Sequence, residues 1–417
     1  MLRYLTSGES HGKALVAILE GIPSGITLSE GYINTELKRR PGGYGRGGRM
    51  RIERDRAIIL SGVRSGKTLG SPIALSIENL DWENWREVMS VDRKVKRGAS
   101  SKVTRPRPGH ADLSGALKYD HDDVRNVLER SSARETAARV AVGAVCKRLL
   151  GECGIEVVSW VEEIGGCGIP RDRVKGVRQE DFTSIFEKAE LSEVRCPEVV
   201  VGDRMKRRID RAKREGDSLG GIFKVVALGV PPGLGSYVQW DRKLDGRLAC
   251  ALMSIQAIKG VEVGIGFNAS SLPGSLVHDE ILYKRLKAGG GRQRKWTARR
   301  YWPLDYGYYR ESNNAGGIEG GMSNGEAIVV RAVMKPIPTL YKPLRSVDMV
   351  SKRAFKASVE RSDICAVPAA AVIGESVVAF ELARAFMEKF GGDSLKEVKR
   401  SYRGYLRYLD KRFSEQG

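Results

Sequence analysis

Residues 122–150 read DDVRNVLERSSARETAARVAVGAVCKRLL, the strongest helical pattern in this chain of 417 residues. Val124, Leu128, Val142, Val145 and Leu149 trace one apolar face, and Ala133, Ala137, Ala138, Ala141 and Ala144 allow a neighbouring element to pack closely. The spacing predicts one helix over about residues 122–150. Its middle, Arg130-Ser131-Ser132-Ala133-Arg134, is polar where a core helix should be apolar. A packed element that carries a polar interruption is a place to look for ligand contacts.

Working outward, residues 14–19 (ALVAIL) read as a buried strand. Thr27-x-x-Glu30 reads as a capping box for a short helix that carries Ile33 and Leu37 and stops at Pro41-Gly42-Gly43. Residues 57–60 and 73–77 read as a strand pair. Residues 220–230, 260–267 and 327–333 read as strands, and 246–258 and 375–390 as helices. Residues 203–215 form a highly charged helix, expected to be solvated. The basic, glycine-containing segment 284–300 has little periodicity and reads as an exposed loop. Strands and helices recur in both halves without the regular alternation of a doubly wound parallel sheet, so the class is α/β of the α+β type.

Composition narrows the function. Glycine, at 49 of 417 residues, is about 12 %, against a usual level near 7 %, which implies many tight turns and close backbone approaches. Lys plus Arg total 71 against 51 Asp plus Glu, a net charge of +20, so the partner is anionic. Charge alone leaves nucleic acid, membrane surface and phosphorylated metabolite open. Six scattered cysteines form no C-x-x-C pair, which suggests neither a disulfide framework nor a zinc site and fits reduced thiols in a cytoplasm. The opening MLRYLTSGESHGK has no hydrophobic signal core.

Four histidines occur, and two sit in glycine-flanked loops: His11 in SGESHG and His110 in RPRPGHAD. A histidine there can serve as acid or base because its ordinary pKa lies near neutrality; the competing reading is a structural, hydrogen-bonded ring. His121 and His278 are flanked by acids and read as ordinary polar positions. Residues 38–56 interleave glycine with arginine, among them Arg40, Arg46 and Arg49. Guanidinium groups bind carboxylate and phosphate in pairs of hydrogen bonds, so the stretch suits a folded anion pocket or a disordered nucleic-acid arm equally well. Gly62-x-x-x-Gly66-Lys67-Thr68 imitates a phosphate loop, but only three residues separate its glycines and a strand-like run follows, so it reads as a turn. No dinucleotide fingerprint links a strand to a helix. The amide- and glycine-rich segment 313–325 and the proline-stiffened segment 335–339 could each cradle a polar ring or phosphate.

Taken in order, these segments resemble the chorismate synthase family: GESHG, GRGGRMRIE, SGVRSGKTLGSPIAL, RPGHAD, RSSARETAARVAVGA, SIQAIKG, NNAGGIEGGMSNGE, KPIPT and RSD run along nearly the whole chain. The resemblance implies a β-α-β-α sandwich, a single large domain over residues 1–417 and a homotetramer. It also implies conversion of 5-enolpyruvylshikimate 3-phosphate to chorismate and phosphate by anti-1,4-elimination, with reduced FMN although the overall reaction is redox-neutral. By the same resemblance Arg40, Arg46, Arg49, Arg107, Arg134 and Arg361 hold substrate groups, with Arg40 and Arg46 also assignable to the phosphate of NADP. FMN contacts fall on Arg130, Ser131, Ser132, Gln256, Ala257, Gly320, Lys335, Pro336, Ile337, Pro338, Thr339 and Arg361. His11 gives a proton to the departing phosphate, His110 sits on the flavin N1 side, and Asp363 helps flavin N5 take the C6 hydrogen. An external flavin reductant is expected, and no metal, nucleic acid or membrane. The stretch at about 284–301 is longer than the family pattern; a surface insertion, a lid and a tetramer contact are its alternatives. Two rivals remain: a basic nucleic-acid-binding protein, disfavoured because aromatics are 7 % and do not interleave with the arginines, and a P-loop kinase, disfavoured by the glycine spacing.

Overall fold

The computed structural model describes residues 1–47, 55–92, 102–170, 179–283, 307–357 and 363–414. The basic stretch at 284–301, Arg49 and Arg361 lie outside the described residues.

Two antiparallel sheets differ in their burial pattern, and that difference sets the layers. The first contains β1 (Arg3–Ser7), β2 (Ala14–Glu20), β3 (Ala57–Ile59) and β4 (Ile73–Glu78), in the order β1-β2-β4-β3. Along β2 and β4 burial alternates: Leu15, Ala17, Leu19, Ile73, Leu75 and Ile77 face inward, while Ile18 on the other face is exposed. A period of two with one wet face makes this an outer layer. The helix between β2 and β3, α1 (Glu30–Arg39), packs inward through Ile33 and Leu37. Its cap is Ser29, which accepts a hydrogen bond from the Tyr32 N–H, and not Thr27 as the capping-box pattern suggested. Glu30 instead accepts from the Ile59 N–H, tying α1 to β3. The Gly62–Thr68 stretch is a two-residue hairpin, Val63 pairing Thr68, with Ser65 and Gly66 at positive φ as such a turn requires. It is a turn and no phosphate loop.

The stretch expected as one helix is divided. After α2 (Asp112–Tyr119) come α3 (Arg125–Ser131), a 3₁₀ turn at Ala133–Glu135 and α4 (Thr136–Gly151). Ser132 is the break: its backbone is extended (φ −62°, ψ 142°), and its hydroxyl accepts from the Arg134 N–H. Serine side chains that bond nearby backbone groups compete with the helical ladder, and the polar interruption is where that competition wins.

The second sheet has β5 (Glu156–Ile164), β6 (Cys167–Gly168), β7 (Gly221–Leu228), β8 (Ile258–Val263) and β9 (Ile328–Met334), in the order β8-β9-β7-β5-β6 and antiparallel throughout. Most of β5 and β7 is buried on both faces. An inner sheet needs helices on each side, and it has them. On one side lie α1, α4 and α8 (Val367–Phe390), shared with the first sheet. On the other, α5 (Gln179–Glu190) places Phe182 5.9 Å from the Trp160 ring of β5. The architecture is thus a β-α-β-α sandwich.

Three expected boundaries moved. Helix α8 begins at Val367 and not at Glu375, because Pro368 sits in the first turn, where no intrahelical N–H is needed. The segment expected as a helix over 246–258 is α7 (Leu244–Met253), and β8 starts at Ile258 and ends at Val263. The charged helix, α6 (Val199–Glu215), is half buried: Val201, Met205, Ile209 and Ala212 form an inner stripe, so only its outer face is solvated. The chain closes with α9 (Leu395–Ser414). Among the described residues no helix is long and apolar enough to cross a membrane.

Glu375, fully buried in α8, is held by Arg39 (2.7 and 2.8 Å), Lys147 (2.9 Å) and the Ser159 hydroxyl (2.6 Å). Glu156 lies at the edge of this cluster. Its burial first, and then the charges of Glu375, Glu187 and Glu36, push its pKa up to about 7, against an opposing pull from Lys147. Because the folded state keeps this proton longer than the unfolded chain, the associated stability is complete below the ordinary value of 4.5 and is lost as pH rises through about 7. Glu156→Gln should therefore leave stability unchanged at pH 4 and raise it by about 1–2 kcal/mol at pH 8, after discounting for partial exposure, as read from thermal melts across pH.

Candidate active site

The divided helix sends two arginines in different directions. Arg130 donates to the Thr6 and Gly8 carbonyls (2.8 and 3.1 Å) at the end of β1. Arg134 turns inward, donating to Asn79 (2.9 Å) and pairing with Asp55. Asp55 also receives Arg40 (2.6 Å), so one buried carboxylate joins two buried guanidinium groups. Burial would raise the Asp55 pKa, but Arg40 and Arg134 outweigh it and hold the carboxyl below the aspartate range. Asn79 donates to the Glu9 and Gly12 carbonyls (3.1 and 2.7 Å), which links this network to the His11 loop.

His11 is clamped on two sides. Its Nδ1 lies 2.8 and 2.9 Å from the Glu129 carboxylate oxygens, and its backbone N–H donates to the same group at 2.8 Å. The Trp85 ring stacks on it at 4.0 Å. His110 has the same device: Asp112, two residues on, faces its Nδ1 at 2.5 Å. Burial would raise Asp112, yet hydrogen bonds from His110 and Arg107 bring it well below the usual carboxylate range. Arg107 donates through Nε (2.9 Å) and Nη2 (3.1 Å) to Asp112.

Asp363 accepts from the Gly47 N–H and pairs with Arg46, each at 2.6 Å. Burial lowers the Arg46 pKa, and nearby Arg40 adds to that, while Asp363 opposes both. Gly45, at φ 86°, passes so close to α6 that a Cβ would stand 2.8 Å from Ile209, and its carbonyl accepts from the Ile364 N–H (2.8 Å). Ile364 in turn accepts from the Leu219 N–H (2.8 Å), and the neighbouring Ser218 hydroxyl donates to the Ile337 carbonyl (2.7 Å). The proline-stiffened segment is thereby fixed beside the Asp363 region. Its Lys335 Nζ reaches the Gly109 carbonyl (2.5 Å) in the His110 loop, and its backbone N–H donates to Ala257 (2.9 Å). Thr339 lies 3.5 Å from Arg107. Gln256 reaches back to Glu135 (3.4 Å), one residue beyond Arg134.

Contacts thus connect Arg40, Arg46, Arg107, Arg130, Arg134, His11, His110, Asp363, Gln256, Ala257 and residues 335–339 into one region. Gly320 stands apart, at the tip of a hairpin between Ile318–Glu319 and Met322–Ser323, where a Cβ would meet nothing within 4 Å. A cavity of about 380 Å³ lies on that side, lined by Val263, Ile265, His278, Asp279 and Glu319 among others. Neither His11, His110 nor Asp363 lines it. Two further atoms bear on a cofactor: Ser131 Oγ and Gln256 Oε1 are buried with no hydrogen-bond partner among the described residues. Both belong to residues expected to touch FMN: the Ser131 hydroxyl can donate to a phosphate or carbonyl oxygen, and Gln256 Oε1 can accept from a ring N–H, so the pair fits a polar heterocycle. No group of His, Cys, Asp or Glu among the described residues could hold a metal ion.

Sequence reading missed Glu129, Asp55, Asn79 and Trp85. Glu129 is 118 residues from His11, and no local pattern pairs them. Asp112, inside the quoted RPGHAD, was available as a carboxylate two residues from its histidine.

Buried guanidinium groups with two carboxylate-backed histidines make a site suited to multiply negative small molecules and proton transfer, built on a β-α-β-α sandwich. The family model described as chorismate synthase matches residues 2–387. The chain is 60 % identical over 410 residues to the chorismate synthase of Geotalea uraniireducens, covering 98 % of this chain and 99 % of that one. It is 58 % identical over 409 residues to that of Geobacter sulfurreducens, with 98 % and 99 % covered. A crystal structure of a chorismate synthase superposes with a TM-score of 0.76 at 46 % identity, over 98 % of each chain. The chain belongs to the chorismate synthase family, lyases of aromatic amino acid biosynthesis.

Proposed function

We propose that this family member converts 5-enolpyruvylshikimate 3-phosphate to chorismate and phosphate with reduced FMN, using the residues located above. The supporting observation is the bonded network Arg40–Asp55–Arg134–Asn79–His11 loop, with the Arg46 charge near enough to Arg40 to be felt, which brings cations for the substrate's carboxylates and phosphate next to a clamped histidine. Reduced FMN, when bound, supplies the electron density for carbon–oxygen cleavage. Ser131, Gln256, Lys335 and Thr339 are the groups that would hold it, with Arg130 and Ser132 shaping the backbone there. Arg40, Arg107 and Arg134 neutralise substrate anions; Arg40 and Arg46 are also candidates for an NADP phosphate. His11 gives a proton to the leaving phosphate from Nε2. His110, pinned through Nδ1, holds a proton towards the flavin side. Asp363, anchored by Arg46 and the Gly47 N–H, manages the proton lost from C6. A homotetramer and an external flavin reductant belong to the same reading.

Anaerobic assay with dithionite-reduced FMN should release phosphate and form chorismate, and oxidised FMN should give neither; no phosphate release with reduced flavin overturns the proposal. His11→Ala and His110→Ala should each lower turnover at least about tenfold with the melting temperature retained, the low end for a lost general acid. Full activity in both would show the proton transfers to lie elsewhere.

A further inference from the structure

We infer that Glu129 is the positioning residue for His11: it fixes the proton-bearing nitrogen of the ring, and Trp85 fixes the ring plane. The Glu129 side chain is 2 % exposed and His11 15 %. A carboxylate only accepts hydrogen bonds, so the ring nitrogen 2.8 Å from it, Nδ1, must donate. The neutral ring therefore carries its hydrogen on Nδ1, and Nε2 is the nitrogen left to exchange a proton with a ligand. The backbone reinforces this register: the His11 N–H donates to the same carboxylate (2.8 Å) and the Ser10 N–H to the Glu129 carbonyl (3.1 Å). Ring rotation is opposed by Trp85, stacked at 4.0 Å with 28° between planes. The Arg125 guanidinium covers the indole at 5.1 Å and lies 3.7 Å from Glu129. His110 also has a carboxylate on Nδ1, Asp112 of its own loop at 2.5 Å, but there the Arg107 Nη2 lies 3.2 Å from the same nitrogen, so the unambiguous arrangement is that of His11.

Only four histidines occur, so spectra of the full-length protein labelled with ¹⁵N-histidine can be assigned by single substitutions. Long-range ¹H–¹⁵N correlation should show neutral His11 as the Nδ1–H tautomer in the native protein, and a mixture or the Nε2–H form in Glu129→Gln. A native His11 in the Nε2–H form overturns the inference without any variant. The kinetic arm rests on His11 acting as the acid of the proposed reaction. Glu129→Gln should lower kcat about 10- to 100-fold and change the substrate KM less than about threefold, the pattern of a displaced acid. In a His11→Ala background the same change should have almost no further effect on kcat, since both variants remove one function. Unchanged kcat in Glu129→Gln while His11→Ala is slow overturns the inference, as does a full multiplicative loss in the double variant. Full activity of His11→Ala would instead remove the acid role from His11, and the tautomer spectrum would still decide whether Glu129 holds the ring.

Discussion

Asp55→Ala is expected to destabilise the protein by about 3–5 kcal/mol and to abolish tight substrate binding. Asp55 is 6 % exposed, and its partners Arg40 and Arg134 are 3 % and 5 % exposed. Without the carboxylate, two guanidinium groups face each other in a region with little water, each having lost a charge-assisted hydrogen bond. Arg46, whose pKa burial and Arg40 already depress, would feel that surplus as well. Asp55→Asn keeps the volume and one acceptor but not the charge, so it should fall between wild type and Asp55→Ala. Because folding lowers the Asp55 pKa, its stabilisation is present above the ordinary aspartate value and is lost as pH falls through the folded value. Both variants should therefore differ most from wild type at neutral pH and converge with it in acid. Urea denaturation at pH 7 and pH 3, with substrate titration, reads both effects. A loss below about 1 kcal/mol at pH 7 would mean that water already screens the pair.

Gly143→Ala is the second large expected loss, and here two effects oppose each other. Replacing a helical glycine by alanine gains about 1 kcal/mol of helix propensity. A Cβ at Gly143, however, would stand 2.3 Å from Ser376 Cβ and 2.5 Å from Ser376 Cα in α8. Carbon atoms pack at about 3.5–4.0 Å, so the two helices must part by more than a bond-angle adjustment allows. Overpacking of this kind costs about 1–3 kcal/mol or more, and the obstacle is backbone, so the clash wins. We expect a net loss of about 2 kcal/mol in unfolding free energy, read as a lower urea midpoint at unchanged m-value, and an increase in stability would show that α4 and α8 can slide. The change also displaces Glu375, next to Ser376, from Arg39 and Lys147.

The layer order shows in burial and not in the chain: ALVAIL reads as a buried strand, yet Ile18 is exposed. Alternating burial in β2 and β4 marks a sheet with one wet face, and β7, buried along most of its length with even Lys224 turned onto Glu162, marks a sheet covered on both sides. The polar step at residues 130–134 was readable as an anomaly, yet whether it bends a helix or only lines a pocket depends on what the two arginines find. Asn79, Asp55 and Thr6 are those partners, each distant in sequence. Helix α8 starts at Val367, ahead of the expected Glu375, because a proline within an apolar run reads as a helix break until the first-turn tolerance for proline is counted.

Residue types and local periodicity were enough to specify most strands and helices, the loops that carry His11 and His110, and, through many ordered glycine-rich matches, the family. Folding in three dimensions was needed to select which carboxylate meets which cation: Glu129 with His11, Asp55 between Arg40 and Arg134, Asp363 on Arg46. The physical reason is that backbone preferences act over a few neighbouring residues, whereas a buried charge must be matched by whatever opposite charge the packed chain brings within about 3 Å, at any separation along it.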